Sequence, residues 1–541
     1  MNYRRRSFIT QLGIAGLSFT LPHWAQATKS ITAPLIEHNG QRTVTISLNP
    51  EPTTLTSFAN TGGTTVLVSS KVLEGLLEYD HDLRPRPQLA KEWSISEDGL
   101  TYDLILRPNV TWHDGTPFTA RDVAFSLTAA QKFHPRGSNT FAQLRDMEII
   151  SPEHIRLHLA QPAPFLILAL SAAETPMLPA HLYDIETALT NPLNNAPIGT
   201  GPYKFKEWQQ GSHIIYERND HYWQDGRPEI DRLIFRILPD SSSRLNGLQN
   251  GQIDIGSSNP IPLSEIPLIE RTPHLAYTTK GYEDNANLAM LEFNLEHPIL
   301  ANKKVRHAIA HAINREQIQK IAFYGYAEAV IAPISKRNFP DFHLPIENPY
   351  PFDIKKANHI LDELGYKRQK DGHRFTLNLH ANPFNPGYKR TAAYLRSALA
   401  RIGIQALLHD EDPGSYIRSV YNNRNFDITV SGVSTMFDPT VGLQRVYYSK
   451  SFTPEVPFSN ATRYHNPEVD RLLEAAAVAH HREQRAQLFK EFQKIVLDDI
   501  PSLPLVQLFN VTVYNKRIHG VATTAAGMRG NLADLRIVPT T

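Results

Sequence analysis

The sequence predicts an α/β protein built of two or more lobes, and three observations carry that prediction. The chain has 541 residues, well beyond the roughly 250–300 at which a single hydrophobic core stops growing. Its first half reads as short alternating strands, whereas from Asn302 onward amphipathic helices alternate with strands, the pattern of an α/β layer. Its 39 prolines fall mainly between the predicted elements, as in Pro50-Glu51-Pro52, and so punctuate a folded chain.

The elements follow in order. Arg4, Arg5 and Arg6 precede Ser7-Phe8-Ile9 and an apolar stretch from Leu12 to Leu21, too short for the ~20 residues of a membrane span. With Ala25-Gln26-Ala27 this makes residues 1–27 a predicted signal peptide cleaved after Ala27. The paired arginines match a twin-arginine signal; a basic n-region for general secretion is the plainer alternative. The chain has no cysteine, which excludes a disulfide, a lipid-modified Cys and a Cys-based metal site. A protein free in the periplasm is expected.

Thr43–Leu48 alternates polar and apolar residues as a strand does, a polar loop at 60–65 follows, and Val66–Leu77 has helical periodicity. Thr101–Leu106 and Ile149–Leu159 read as strands, Asp114-Gly115 as a turn, and Thr119–Thr128 as a helix capped by Thr119 with Asp122 at its third position. His213–Glu217 and Arg232–Ile237 complete the strand-rich half. Helices are predicted at Val305–Ile313, Ile354–Leu364, Lys389–Ile402, Pro467–Val478 and Arg482–Leu497, with strands at Phe375–Leu379 and Phe426–Val430. Arg368–Arg374 reads as a solvated turn.

The 55 basic and 54 acidic residues leave a formal charge of +1 with no long block of either sign, so no nucleic-acid surface is expected. Gly199-Thr200-Gly201 lacks the lysine and the following helix of a phosphate loop, and no Gly-x-Ser-x-Gly elbow occurs. His307 and His311 are four apart on a predicted helix, yet Ala308 stands where a zincin needs Glu, so a packing role is favoured over a metal. Adjacent His480 and His481 would diverge on a helix and are read as surface residues. No cofactor and no metal are predicted.

Several segments carry a resemblance. They are Trp112–Val123 (WHDGTPFTARDV), Pro197–Phe205 (PIGTGPYKF), Arg218–Trp223 (RNDHYW), Phe293-Asn294-Leu295 leading into Lys304–Glu316 (KVRHAIAHAINRE), Asn466–Leu473 (NPEVDRLL) and Ile500–Pro504 (IPSLP). In this order they resemble the periplasmic binding proteins that serve ABC importers of peptides, nickel and related solutes. The resemblance implies a two-lobed periplasmic-binding-protein fold, with lobe I at 28–283 (an extra subdomain at about 76–198), lobe II at 284–509 and a return to lobe I at 510–541. It implies a monomeric, non-enzymatic receptor that binds a small-molecule or peptide-like ligand between the lobes and docks on an inner-membrane ABC permease. The rival readings are a periplasmic enzyme or chaperone on the same scaffold, or a sensing receptor without transport.

Two loops bear on the ligand. Dipeptide- and oligopeptide-binding relatives carry an ammonium-binding Asp four residues before the Pro of an Asp-Pro loop; in Ser431–Pro439 (SGVSTMFDP) that place falls on Thr435 or, one residue on, Met436. Some carry a carboxylate-binding Arg where Asn382 precedes Pro383-Phe384-Asn385-Pro386. With both charged clamps missing, ordinary dipeptides are expected to bind poorly, and a larger neutral or internally capped ligand is expected. The predicted ligand-binding residues are Gly63, Thr64, Thr65 and Val66 from lobe I, with Asn382, Phe384, Thr435, Met436, Phe437 and Arg445 from lobe II. Arg445 remains able to hold a charged ligand.

Overall fold

Two large sheets organise the chain. The computed structural model describes residues 37–38, 41–452 and 456–538; the predicted signal peptide lies outside the described residues. In the first lobe the Gln41–Leu48 strand buries Val44, Ile46 and Leu48 and pairs in parallel with Arg232–Ile237. Across that sheet the order runs Leu275–Thr278, Thr512–Asn515, Ile255–Gly256, Gln41–Leu48, Arg232–Ile237, His213–Arg218, Tyr203–Gln209, with Glu37–His38 paired beside Gln41–Leu48. A separate four-stranded antiparallel sheet of Ala90–Ile95, Thr101–Leu106, His154–Leu159 and Leu144–Ser151 forms the subdomain. Its helix, Ala120–Phe133, starts with the predicted box: the Thr119 backbone N–H donates to Asp122 Oδ2 at 2.8 Å, and Thr119 Oγ1 accepts from Arg121 N at 3.3 Å.

The second lobe is a six-stranded mixed sheet in the order Ala327–Ala329, Ser502–Leu508, Asn287–Phe293, Ile428–Ser434, Phe375–Ala381, Ile404–His409. Its central strands are buried on both faces, and helices Lys303–His311, Arg315–Phe323 and Pro386–Ala400 share a core with one of them. The chain passes between the sheets twice, from Leu275–Thr278 to Asn287–Phe293 and from Ser502–Leu508 to Thr512–Asn515. A single apolar cluster joins subdomain residues such as Tyr79, Tyr102 and Ile167 to Phe339, Phe342 and Phe437 of the second lobe. Among the described residues no helix is long and apolar enough to cross a membrane.

Four local expectations are revised. The helix after the first strand spans Gly63–Ser69, so Gly63, Thr64 and Thr65 form its first turn and not a loop. It stops early because Lys71 turns inward, its Nζ donating to Met528 O at 2.8 Å and Gly530 O at 2.5 Å, while Val72 O accepts from Gly201 N at 2.9 Å. A Cβ on Gly199 would lie 1.8 Å from that same carbonyl oxygen, which explains the glycine without a phosphate. Arg374, at the end of the stretch read as solvated, is buried, with Nε on Ile402 O at 2.9 Å and Nη1 on Asp362 Oδ1 at 2.5 Å. His480 and His481 sit in the connection between helices Pro467–Val478 and Arg482–Asp499 rather than on a helix.

Candidate functional site

Where the lobes meet, a cavity of ≈190 Å³ is walled by both. The first lobe contributes Val66, Tyr79, Arg136 and Glu174, and the second contributes Ser434, Met436, Phe437 and Arg445; Asp284 and Asn285 lie on the first passage between the sheets, and Arg529 comes from the segment after the last strand of the first sheet. Five of these side chains are charged, and four are paired. Arg136 forms a fork on Glu174, with Nε to Oε2 at 3.1 Å and Nη2 to Oε1. Arg529 donates from Nη2 to Asp284 Oδ1. Burial pushes the Asp284 carboxyl up to about 6 against the pull of Arg529.

Arg445 is different. Its one protein hydrogen bond among the described residues is Nε to Gly442 O at 3.2 Å, and no carboxylate pairs with it. Burial lowers its pKa, opposed by Tyr421 and Glu292 and helped by Arg136. A guanidinium carries five donors, so most of its capacity faces the cavity unspent.

Phe437, 2 % exposed, stands between this cavity and a second of ≈230 Å³ lined in part by Ile167, Leu168, Phe339 and Phe342. The next residue, Asp438, is buried and accepts two bonds from Arg485, at 2.7 and 2.6 Å, while its Oδ1 caps the short Pro439–Gly442 helix through Thr440 N at 2.8 Å. The carboxylate of the Asp-Pro loop is therefore structural.

Residues 84–454 match the family of bacterial extracellular solute-binding proteins, family 5 Middle. The chain belongs to this family. The glutathione-binding protein GsiB of Salmonella paratyphi A is 27% identical over 486 residues, covering 88% of this chain and 91% of that protein. The solved structure of NikZ from Campylobacter jejuni in complex with Ni(L-His) superposes with a TM-score of 0.75 at 29% identity, covering 91% of this chain and 99% of that one. HbpA2 from Haemophilus parasuis superposes with a TM-score of 0.78 at 25% identity, covering 92% and 100%. Family 5 proteins capture peptides, nickel or other solutes for ABC importers, and this chain is such a solute-binding receptor with the two-lobed fold.

Of the residues singled out from the sequence, the fold brings Val66, Met436, Phe437 and Arg445 into the one cavity. Gly63, Thr64 and Thr65 are not in its wall; Thr65 is buried within its helix. Thr435 is buried behind the wall, where its N and Oγ1 both donate to Ala286 O, at 2.8 and 3.2 Å. Asn382 is buried in a turn, its Oδ1 accepting from Phe384 N at 2.9 Å. Phe384 is 59 % exposed and packs on Phe458 at 6.0 Å, which packs on Tyr421 at 5.5 Å, which meets Tyr416 at 6.2 Å. That aromatic ridge leads into the second lobe beside Arg445.

His307 and His311 both pack on Tyr350, at 4.9 and 5.5 Å, and their ring nitrogens meet Asp498 O and Pro351 O. Among the described residues no cluster of three or more His, Asp or Glu could hold a metal ion. The cleft differs from one suited only to a neutral or internally capped ligand: its polarity is dominated by charge. Arg136, Glu174, Asp284 and Arg529 were not singled out, since they come from separate segments with no shared pattern. One signal was present, the lone Glu174 that ends the apolar run Phe165–Ala173.

Proposed function

We propose that this chain is a periplasmic receptor for a small, carboxylate-bearing peptide of the glutathione kind, which it delivers to an ABC importer. One observation carries the reading: Arg445 reaches the cavity without a carboxylate of its own, whereas Arg136 and Arg529 are each tied to an acid. A ligand carboxylate would complete it at the strength of a charge-assisted hydrogen bond. The GsiB relatives support this chemistry by their name. An α-linked dipeptide remains disfavoured, because Met436 offers no charge for its ammonium and the two acids of the wall, Glu174 and Asp284, are already tied to arginines.

On this reading the lobes are 28–283 with 510–541, and 284–509, and the receptor works as an exported monomer that performs no chemistry on its cargo. Calorimetry with glutathione and a panel of α-linked dipeptides tests it. Wild type should bind glutathione, and Arg445→Gln should lose about 2 kcal/mol or more of that affinity with little change in melting temperature. Submicromolar binding of ordinary dipeptides, or affinity indifferent to Arg445→Gln, would return the ligand to another class. Conversion of glutathione by the purified protein would favour the enzyme reading.

A further inference from the structure

The second lobe contains a cluster of buried polar side chains that the carboxylate reading leaves unused. Glu292, 4 % exposed, lies on the Asn287–Phe293 strand. It shares a face with Leu288 and Met290, opposite to that of Ala289 and Leu291, which join the other core. Across the sheet it is directly opposite Ser502 on one side and Thr429 on the other. Ser502 Oγ is bonded to Tyr447 OH at 2.9 Å, and Thr429 Oγ1 to Tyr416 OH at 3.1 Å. Tyr447 ends the short Gln444–Tyr447 helix, so the turn that carries Arg445 to the cavity also covers Glu292.

Three buried atoms in this region, Glu292 Oε2, Ser431 Oγ and Gln444 Oε1, have no hydrogen-bond partner among the described residues. Buried acceptors left this way are costly and rare in native proteins. Arg445 does not satisfy Glu292: each perturbs the other's ionisation, but no ion pair joins them. The other titratable groups around them, Tyr416, Tyr421 and Tyr447, are all pushed up by burial and are neutral at pH 7. Arg136, across the cavity, is held by Glu174.

A half-buried cation that lines the cavity and an unpartnered buried carboxylate covered by the same short helix, near each other but not paired, suit a group that carries both opposite charges on neighbouring atoms. We infer that the inner wall of the second lobe recognises a free α-amino-acid head, Glu292 accepting from its ammonium and Arg445 donating to its carboxylate. This rests on the proposed role of Arg445 and narrows it. A γ-linked peptide keeps such a head intact, whereas an α-linked dipeptide has its ammonium and free carboxylate on different residues.

The head would also move a proton. Burial pushes Glu292 up to about 7, and an arriving ammonium favours its ionised form, so binding at neutral pH releases a proton. The test is calorimetry at pH 7 in two buffers of different ionisation enthalpy, with glutathione and its des-amino analogue, glutaryl-cysteinylglycine, as probes. Wild type should bind glutathione roughly 30-fold more tightly than the analogue and release about half a proton with glutathione alone. Glu292→Gln should bind the two probes about equally and release none. Should that variant fail to fold, the wild-type comparison of the two probes decides. Arg445-dependent binding with equal affinity for both probes and no proton release overturns the amino-acid head and spares the carboxylate reading. No binding of glutathione, or binding indifferent to Arg445→Gln, overturns both.

Discussion

Phe437 of the second lobe stacks on Tyr79 of the first, with ring centroids 6.1 Å apart and planes inclined by 21°. Tyr79 is held in turn, its hydroxyl bonded to Ser171 Oγ at 2.9 Å and to Leu168 O. The pair closes the cleft and forms part of its wall.

Phe437→Ala should therefore weaken glutathione binding through closure as well as contact. An aromatic pair is worth about 0.5–1.5 kcal/mol beyond its buried area, so a loss of more than ~1 kcal/mol is expected. Small-angle scattering of the ligand-saturated variant should give a larger radius of gyration than wild type. A double-mutant cycle with Tyr79→Ala isolates the stacking; strict additivity of the two losses would rule out a closing role for the pair.

The Asp438–Arg485 fork predicts a stability effect instead. Both residues are buried, and removing one partner of a buried pair costs about 3–5 kcal/mol because the other is left charged and alone. Asp438→Ala should lower the urea midpoint accordingly, with the added loss of a helix cap. Replacing both residues by apolar ones should cost much less than Asp438→Ala alone. Equal destabilisation by the single and the double variant contradicts this account.

Glu292 makes stability depend on pH in a defined direction. Its folded pKa of about 7 lies above its ordinary value of 4.5, so the folded protein holds the proton more tightly than the unfolded chain. Its stabilising contribution is present below pH 4.5 and is lost as pH rises towards 7, by at most about 3 kcal/mol. Asp284 and Glu78, raised to about 6 and about 7, act with the same sign. The informative quantity is thus the difference between wild type and Glu292→Gln in denaturant melts from pH 5 to 8. Wild type should lose stability faster over that range, and parallel curves would show that Glu292 does not titrate there.

Export is expected to need the paired arginines. A fusion of residues 1–30 to a reporter should reach the periplasm in cells with a twin-arginine translocon and fail after Arg5→Lys with Arg6→Lys. Unimpaired export of the double variant points to the general secretion route.

Much of the fold was legible because its signals are local. Thr119 and Asp122 announce a helix start, and Val44, Ile46 and Leu48 announce a strand face, within a few residues of chain. The cleft was only partly legible, because its charges arrive from Arg136, Glu174, Asp284 and Arg529 on four distant segments. Counting along Ser431–Pro439 also could not tell which side chains turn inward. Met436 takes a left-handed conformation at φ 52°, which breaks the strand's alternation: Thr435 stays behind the wall while Met436 and Phe437 reach the cavity.

The position of Phe437 between two cavities bears on the length of the cargo. Its ring acts as a partition, with the Arg445 chamber on one side and, on the other, one where Ile167, Leu168, Phe339 and Phe342 lie beside Arg84, Asp438, Arg482 and Arg485. A small residue at this single position would merge the two compartments without disturbing either sheet. A longer cargo would then find room across both, in exchange for the aromatic contact that holds the lobes together.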